Sequence, residues 1–132
     1  MIVCEALQSA AQTLRRAGVS DASIEAEFLL SHVLGFSKTQ LYTEPERSLT
    51  SVETQHLYHL VGRRLNQEPT AYILGHCEFY GIDFYIDYHT LIPRPETELL
   101  VEEAVELVRH IFSPTRPIAI ADIGTGCGAI AV

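Results

Sequence analysis

The stretch 118–132 constrains the fold of this 132-residue chain more than any other part of it. After a loop at 113–117, a compact apolar run at 118–123 leads directly into the glycine-rich sequence 124–128. Glycines at alternate positions permit positive φ angles and let a ligand approach the backbone closely. A strand, such a loop and a helix-compatible segment at 129–131 are typical of the start of a nucleotide-binding α/β unit. The sequence therefore predicts a strand at 118–123 with a ligand-binding loop behind it.

Two classes of ligand use a loop of this kind. Gly124, Gly126 and Ala129 fit the pattern G-x-G-x-x-A, which is typical of dinucleotide sites. Asp122 would crowd a pyrophosphate, whereas S-adenosylmethionine carries a sulfonium and an amino group and no phosphate. The pattern D-x-G-x-G-x-G therefore resembles the first motif of the S-adenosylmethionine-dependent methyltransferases. A tight turn that binds no ligand is the third interpretation.

Composition limits the class of protein. Apolar residues make up 47% and charged residues 20% of the chain, which is normal for a globular domain. The net charge of −8 argues against nucleic acid as a direct partner. Three distant cysteines without a C-x-x-C favour a reducing cytoplasm over a disulfide framework or a zinc site. We expect neither a signal peptide nor a membrane span, because no apolar stretch approaches about 18 residues.

Residues 1–75 are predicted to form a helical bundle. Apolar residues repeat at spacings of three and four in 6–17 and again in 26–34, which gives each segment one apolar stripe. Gly18 and Gly35 are placed to end these two helices. Short connections between the helices are typical of a bundle.

Two capping boxes mark the starts of further helices. Ser37 with Gln40, and Thr50 with Glu53, have the spacing at which side chains satisfy the free amide groups of a first helical turn. We therefore expect helices that begin near residues 38 and 51. A short helix should follow within 69–75, where a proline suits the first turn and a glycine suits the end.

The hydrophobic period changes after Gly75. In 76–87, aromatic and β-branched residues alternate with polar ones on either side of Gly81, which predicts a β-hairpin. Two prolines then force an extended entry into the next segment, and Pro95 can be the first residue of a helix at 95–112. The predicted buried stripe of this helix consists of Val101, Ala104, Val105, Val108, Ile111 and Phe112.

Some polar side chains allow a functional and a purely structural interpretation. His56 and His59, one turn from Glu53, have a spacing that could bind a metal. A solvated helix face explains the three residues without a ligand, and we predict no metal site. Arg94, between two prolines, either steers a substrate or pairs with a nearby acid, and both interpretations stay open.

Three segments of the chain resemble one enzyme family. PTAYILGHCEFYG (69–81), LIPRPETELLVE (91–102) and ADIGTGCGAIA (121–131), in this order, resemble the protein-(glutamine-N5) methyltransferases. These enzymes methylate the glutamine of the Gly-Gly-Gln loop in class I peptide chain release factors. The helical segment AEFLLSHVLG (26–35) also resembles their N-terminal domain, so the resemblance covers nearly the whole chain.

The resemblance implies an α+β fold in three parts. A helical bundle at 1–75 would dock the release factor, a β-hairpin at 76–90 would be a linker, and 91–132 would begin a Rossmann-like methyltransferase domain. The implied cofactor is S-adenosyl-L-methionine, bound by Asp122, Gly124, Thr125, Gly126, Cys127 and Gly128. The segment implied to lie over the active-site mouth is Arg94, Pro95, Glu96, Thr97 and Glu98. Cys127 stands where serine or threonine is more usual.

The chain also departs from the family pattern. The signature N-P-P-Y, which grips the substrate amide, does not occur in the 132 residues, nor does the acidic residue expected after a second strand. An amide nitrogen is a poor nucleophile, so methyl transfer needs those acceptors and in-line placement. We therefore expect no catalytic residue here, an inactive isolated chain, and self-association through an unpaired strand at 118–123. The alternatives are a non-catalytic module that binds release factor and a dinucleotide-dependent enzyme.

Overall fold

A computed structural model describes residues 1–111 and 118–132, and the chain divides into two compact units. The first unit is Met1–Leu74 and the second is Gly75–Val132. Helices form the first unit, whereas the described residues of the second contain a two-stranded antiparallel sheet, a 3₁₀ turn and one helix. The chain is therefore a mixed α and β structure, as its hydrophobic periodicity predicts.

The first unit packs five helices around one apolar core. They are α1 (Val3–Arg16), α2 (Ala22–Leu34), α3 (Lys38–Thr43), α4 (Ser51–Leu65) and α5 (Thr70–Leu74). The apolar stripes predicted for the first two helices supply much of this core, because side chains three and four residues apart share one helix face. The buried cluster consists of Val3, Ala6, Ala10, Ala11, Leu14, Val19, Ala22, Ala26, Leu29, Leu30, Leu41, Leu49, Leu57, Leu60, Val61 and Ile73.

Both predicted capping boxes form. The Ser37 hydroxyl accepts a hydrogen bond from the Gln40 backbone N–H at 3.3 Å, and α3 begins at the next residue. The Thr50 hydroxyl accepts from the Glu53 backbone N–H at 3.2 Å, while the Glu53 carboxylate accepts from the Thr50 backbone N–H at 2.8 Å. Gly35 ends α2 in the left-handed conformation, with φ of 64°. The predicted helix boundaries at 35, 38 and 51 are therefore confirmed.

The first turn of α1 is capped by a distant loop. The backbone N–H groups of Val3 and Cys4 donate to the carbonyl oxygens of Arg47 and Pro45, both at 3.0 Å. These are among the amide groups that have no acceptor within their own helix. The start of α1 therefore depends on residues more than forty positions away along the chain.

The second unit begins with the predicted β-hairpin. Strand β1 (His76–Phe79) pairs antiparallel with β2 (Ile82–Tyr85). Tyr80 and Gly81 form the two-residue turn with φ angles of 52° and 75°. Type I′ turns need a positive φ at both central positions, and they match the twist of the flanking strands. The hairpin around Gly81 is therefore confirmed.

The helix after the prolines forms, but its apolar stripe is not buried. A 3₁₀ turn at Pro95–Thr97 leads into α6 (Glu98–Ile111). Within α6, the structure describes no buried side chain, and Ile111, a member of the predicted stripe, is 63% exposed. The predicted buried stripe is wrong for the described residues, because no described helix or strand of this unit covers that face. Phe112 and the loop at 113–117 lie outside the described residues.

The predicted strand at 118–123 is absent from the described structure. In the described ranges β1 pairs with β2, and 118–123 joins no sheet. Ile120 and Ile123 are 74% and 95% exposed. A strand needs a neighbour to accept and donate its backbone hydrogen bonds, and the described residues provide none for 118–123. The segment 129–131 also forms turns instead of the predicted helix.

None of the described helices combines the length and the apolar character that crossing a membrane requires.

Candidate functional site

A cleft of about 230 Å³ lies within the second unit, between the glycine loop and the segment that leads into α6. Its walls are mainly aliphatic and aromatic side chains, with backbone of the glycine loop on one side. The residues that line it are Phe79, Leu91, Ile92, Pro93, Arg94, Thr97, Gly124, Thr125, Gly126, Cys127, Ala129 and Ile130. A concave, mostly apolar site with a few polar groups is the usual form of a small-molecule site.

The loop requires glycine for its backbone conformation. Gly124, Gly126 and Gly128 have φ angles of 83°, 57° and 81°, a region that costs other residues about 1–2 kcal/mol each. The Gly128 N–H donates to the Thr125 carbonyl oxygen at 2.9 Å and closes the turn. A Cβ on Gly126 would lie 3.9 Å from the Gly124 carbonyl oxygen, which is an ordinary contact. The positive φ angles therefore explain why these positions are glycine better than steric crowding of a Cβ atom does.

Asp122 places an unsatisfied acceptor just before the loop. Its Oδ2 atom is buried and has no hydrogen-bond partner among the described residues. A buried carboxylate oxygen without a donor is costly, by roughly 1–3 kcal/mol or more. An N–H group or a positive charge would satisfy this oxygen and a phosphate would be repelled by it, although Asp122 itself does not line the cleft.

The proline segment is fixed to the hairpin. The Thr97 N–H donates to the Arg94 carbonyl oxygen at 2.9 Å, which closes the 3₁₀ turn. The Glu98 carboxylate then accepts from the Tyr80 backbone N–H at 2.8 Å, so the start of α6 is tied to the hairpin turn. These bonds hold Arg94 and Thr97 at the wall of the cleft.

The structure brings together part of each predicted residue set. Of the residues predicted to bind cofactor, those that line the cleft are Gly124, Thr125, Gly126 and Cys127, while Asp122 and Gly128 do not. Of the predicted mouth segment, Arg94 and Thr97 line it, while Pro95, Glu96 and Glu98 do not.

Apart from Ala129, which the dinucleotide pattern included, sequence reasoning missed the apolar lining residues. Ile130 lies two residues after the loop, and 91–93 belongs to the same segment as Arg94, so adjacency was an available signal. Phe79 had only its alternation along β1 as a signal, and nothing local connected it with the loop.

The first unit carries a wider groove of about 640 Å³ beside α1. Glu27 and Tyr42 are among its lining residues. The Glu27 carboxylate lies 2.7 Å from the Lys38 ammonium group and accepts the hydroxyl hydrogen bond of Tyr42. Burial raises the pKa of Glu27, but Lys38 and Tyr42 outweigh burial and hold that pKa below its ordinary value. The groove therefore presents an ionised acid with fixed neighbours at neutral pH.

In the described part of the chain, the histidines on α4 do not belong to a cluster that could bind a metal. Among residues 1–111 and 118–132, no cluster of three or more histidine, cysteine, aspartate or glutamate side chains could hold a metal ion. Glu53 binds Arg47 at 2.7 Å instead, and the His56 ring makes an edge contact with that of His32, with centroids 6.2 Å apart.

Comparison with known proteins gives consistent matches along the chain. Residues 5–75 match the family model described as the PrmC N-terminal domain. The chain is 45% identical over 122 residues to the release factor glutamine methyltransferase of Burkholderia pseudomallei, covering 92% of this chain and 41% of that protein. It is 39% identical over 131 residues to that of Chlorobaculum tepidum, covering 98% of this chain and 45% of the relative. The chain thus spans less than half the length of these curated relatives.

Proposed function

Because the chain belongs to the family of the PrmC N-terminal domain, we propose that it corresponds to the amino-terminal portion of a release factor glutamine methyltransferase. The proposed reaction is transfer of a methyl group from S-adenosyl-L-methionine to the glutamine side-chain amide in the Gly-Gly-Gln loop of class I release factors. The observation that carries the proposal is the extent of the match, which reaches 98% of this chain in one relative. A match of that extent includes the glycine loop as well as the helical unit.

We assign the parts of the chain separate roles. The helices of 1–75 dock the release factor, 76–90 is a hairpin linker, and 91–132 supplies the first elements of a Rossmann-like catalytic domain. The groove beside α1, with the ionised Glu27 at its wall, is a concave surface of the docking part. We place the enzyme in the cytoplasm, which agrees with three cysteines that are all free thiols.

Two features of the second unit support S-adenosyl-L-methionine as the proposed cofactor. Backbone of 124–127 forms one wall, and the positive φ angles of its glycines leave that backbone open to a ligand. The unsatisfied Oδ2 of Asp122 favours a cationic or N–H-bearing ligand, which argues against the pyrophosphate of a dinucleotide. When bound, S-adenosyl-L-methionine supplies an electrophilic methyl group on a sulfonium.

This chain has limited means to activate the substrate amide. The amide nitrogen shares its lone pair with the carbonyl group, so acceptors must bind its N–H groups and hold it in line. Arg94 and Thr97 at the cleft wall can orient a substrate, but the chain has no N-P-P-Y sequence to act as the amide clamp. We therefore propose that residues 1–132 alone do not transfer methyl groups.

A chimeric enzyme tests the proposal. Residues 1–132 replace the aligned segment of the Burkholderia pseudomallei relative, and transfer of tritiated methyl groups to intact release factor is measured. We expect transfer by the chimera, none by the isolated chain, and none to a release factor whose Gly-Gly-Gln glutamine is replaced by alanine. A chimera that is folded and binds release factor but transfers no label would refute the proposal.

The role of Asp122 is tested in the same chimera. Asp122→Asn should weaken binding of S-adenosylhomocysteine about tenfold or more, whereas Asp87→Asn should leave it unchanged. Asp87 is a suitable control because its carboxylate accepts a backbone hydrogen bond from His89, which an asparagine oxygen can also accept. Calorimetric titration that detects a dinucleotide but not S-adenosylhomocysteine would favour the dinucleotide-dependent alternative.

A further inference from the structure

Two of the three cysteines lie in the second unit, Cys127 at the wall of the cleft and Cys77 on the strand that carries Phe79. We propose that Cys77 and Cys127 are a thiol pair that closes reversibly to an intramolecular disulfide and thereby blocks the glycine loop. The effect on cofactor binding rests on the proposed function. The pairing of the two thiols does not depend on it.

Strand alternation puts Cys77 on the apolar face of the hairpin. Cys77 and Phe79 are two residues apart on β1 and therefore lie on the same face. Cys77 is directly opposite Phe84, and the Phe84 ring meets the Phe79 ring edge-on, with centroids 6.4 Å apart. His76 and Asp83, whose side chains lie 2.9 Å apart, occupy the opposite face.

The apolar face of the hairpin is the one that meets the glycine loop. Phe79 is only 2% exposed, and it lines the cleft together with Cys127. Because Cys77 shares the face of Phe79, its thiol is directed toward the same side of the unit as Cys127. Both thiols are partly exposed, so a small oxidant can reach them.

The surroundings of Cys77 assign it the second step of closure. Burial raises the pKa of the Cys77 thiol, and negative charge on Asp83, Cys127 and Glu78 raises it further. A raised pKa makes Cys77 a slow nucleophile at neutral pH, so we assign it the second, resolving attack.

The loop has the freedom that closure requires. A disulfide needs Cα atoms about 4.4–6.8 Å apart and a narrow range of dihedral angles. Cys127 lies between Gly126 and Gly128, two residues that change conformation with little steric cost. The backbone of the glycine loop can therefore adjust toward the hairpin.

The oxidation step balances with a low-molecular-weight disulfide as the oxidant. The Cys127 thiolate attacks one sulfur of that disulfide, which breaks its S–S bond, forms a mixed disulfide and releases one small thiol. The Cys77 thiolate then attacks the Cys127 sulfur and releases the second small thiol. Two protein thiols are oxidised, the small disulfide is reduced, and the two protons leave with the released thiols.

The pairing is tested on the 132-residue chain with oxidised glutathione as the probe. After oxidation, free thiols are alkylated and the chain is analysed by intact mass and peptide mapping. We expect the free thiols to fall from three to one, with Cys4 as the alkylated residue and a peptide that joins Cys77 to Cys127. The Cys4→Ser variant, which is changed in the other unit, should form the Cys77–Cys127 disulfide as well as the native chain does. The Cys77→Ser and Cys127→Ser variants should each stop at a mixed disulfide with glutathione.

Several results would overturn the pairing. One is alkylation of both Cys77 and Cys127 under conditions in which a control dithiol peptide, in a parallel sample, is fully oxidised. Another is a map in which the linked peptides include Cys4 or come from two chains. Circular dichroism of each serine variant confirms that it is folded, so a failure to close is not caused by unfolding.

A second measurement separates this proposal from the proposed function. S-adenosylhomocysteine is titrated into the reduced and the oxidised chain. Binding by the reduced chain that falls about tenfold or more on oxidation, and returns with a reducing agent, supports the switch. Equal binding by both forms overturns the switch. If the Cys77–Cys127 disulfide forms but neither form binds S-adenosylhomocysteine, the result counts against the cofactor proposal and still supports the thiol pair.

Discussion

Replacing Glu53 by glutamine should destabilise the helical unit and reduce its sensitivity to acid. The Glu53 carboxylate accepts hydrogen bonds from the Arg47 guanidinium at 2.7 Å, the Thr50 backbone N–H at 2.8 Å and the Thr50 hydroxyl at 3.1 Å. The Arg47 guanidinium also lies over the Phe36 ring, 5.1 Å from its centroid. One carboxylate therefore joins the first turn of α4 to the loop before it and to the end of α2.

The expected magnitude follows from the pKa of Glu53. The hydrogen bond from Arg47, and then that from the Thr50 backbone, lower this pKa from 4.5 to about 2. A pKa difference of about 2.5 corresponds to an upper bound of about 3.4 kcal/mol. Because the side chain is 21% exposed, solvent screening reduces the contribution to about 1–2 kcal/mol. A lowered pKa stabilises the fold above the unfolded pKa, and that stability is lost as pH falls toward about 2.

Urea denaturation followed by helical circular dichroism measures the effect. At neutral pH, Glu53→Gln should lose about 1–2 kcal/mol, because glutamine keeps an acceptor for the Thr50 N–H but loses the charge opposite Arg47. Glu53→Ala should lose about 1 kcal/mol more, the usual contribution of a helix cap. The difference in free energy of unfolding between the native chain and Glu53→Gln should shrink to zero as pH falls from about 5 to about 2.

The matched control is Glu46→Gln, a change at an exposed carboxylate of the same loop, which should alter the free energy of unfolding by less than about 0.5 kcal/mol. The reasoning is refuted if Glu53→Gln is as stable as the native chain at neutral pH. If the difference in free energy of unfolding stays constant down to about pH 2, the lowered pKa of Glu53 is not its cause.

Three further predictions address the core, the independence of the first unit and the exposed segment. Leu29→Ala, at a fully buried position, should cost about 2–5 kcal/mol in urea denaturation, whereas Phe28→Ala, at a 52% exposed position, should cost less than about 0.5 kcal/mol. Residues 1–74 alone should show helical circular dichroism and one cooperative thermal transition, and a featureless melt would contradict this. The exposed Ile120 and Ile123 should promote self-association, so the mass from sedimentation equilibrium should rise with concentration and fall in Ile123→Lys. A monomer at every concentration would count against that prediction.

The helical unit was predictable because its signals are local. A capping box is decided by residues three positions apart, and both Ser37–Gln40 and Thr50–Glu53 form as expected. Gly35 ends α2 because the left-handed conformation favours glycine, which is again a property of one residue. These elements need no knowledge of the rest of the fold.

Contacts between distant residues were not predictable in this way. The loop around Arg47 caps α1 through backbone groups, which carry no sequence signal. Phe79 reaches the cleft because of how the hairpin packs within its unit, and its sequence position shows only the strand face on which it lies. The glycine loop was recognised from its φ requirements, but the apolar wall opposite it was not.

Two of the wrong predictions, the strand at 118–123 and the buried stripe of α6, have one physical cause. A hydrophobic period tells which side of an element is apolar, but burial needs a second layer, and a strand needs a neighbour for its backbone groups. In α/β proteins a single parallel sheet meets both needs, since it pairs with each strand and covers the apolar face of each helix. Both features should therefore change together in a longer protein: strands added beside 118–123 would satisfy its backbone and bury stripe residues such as Val105 and Ile111, now 38% and 63% exposed. Hydrogen-exchange protection that appeared in one segment without the other would show that separate layers cover them.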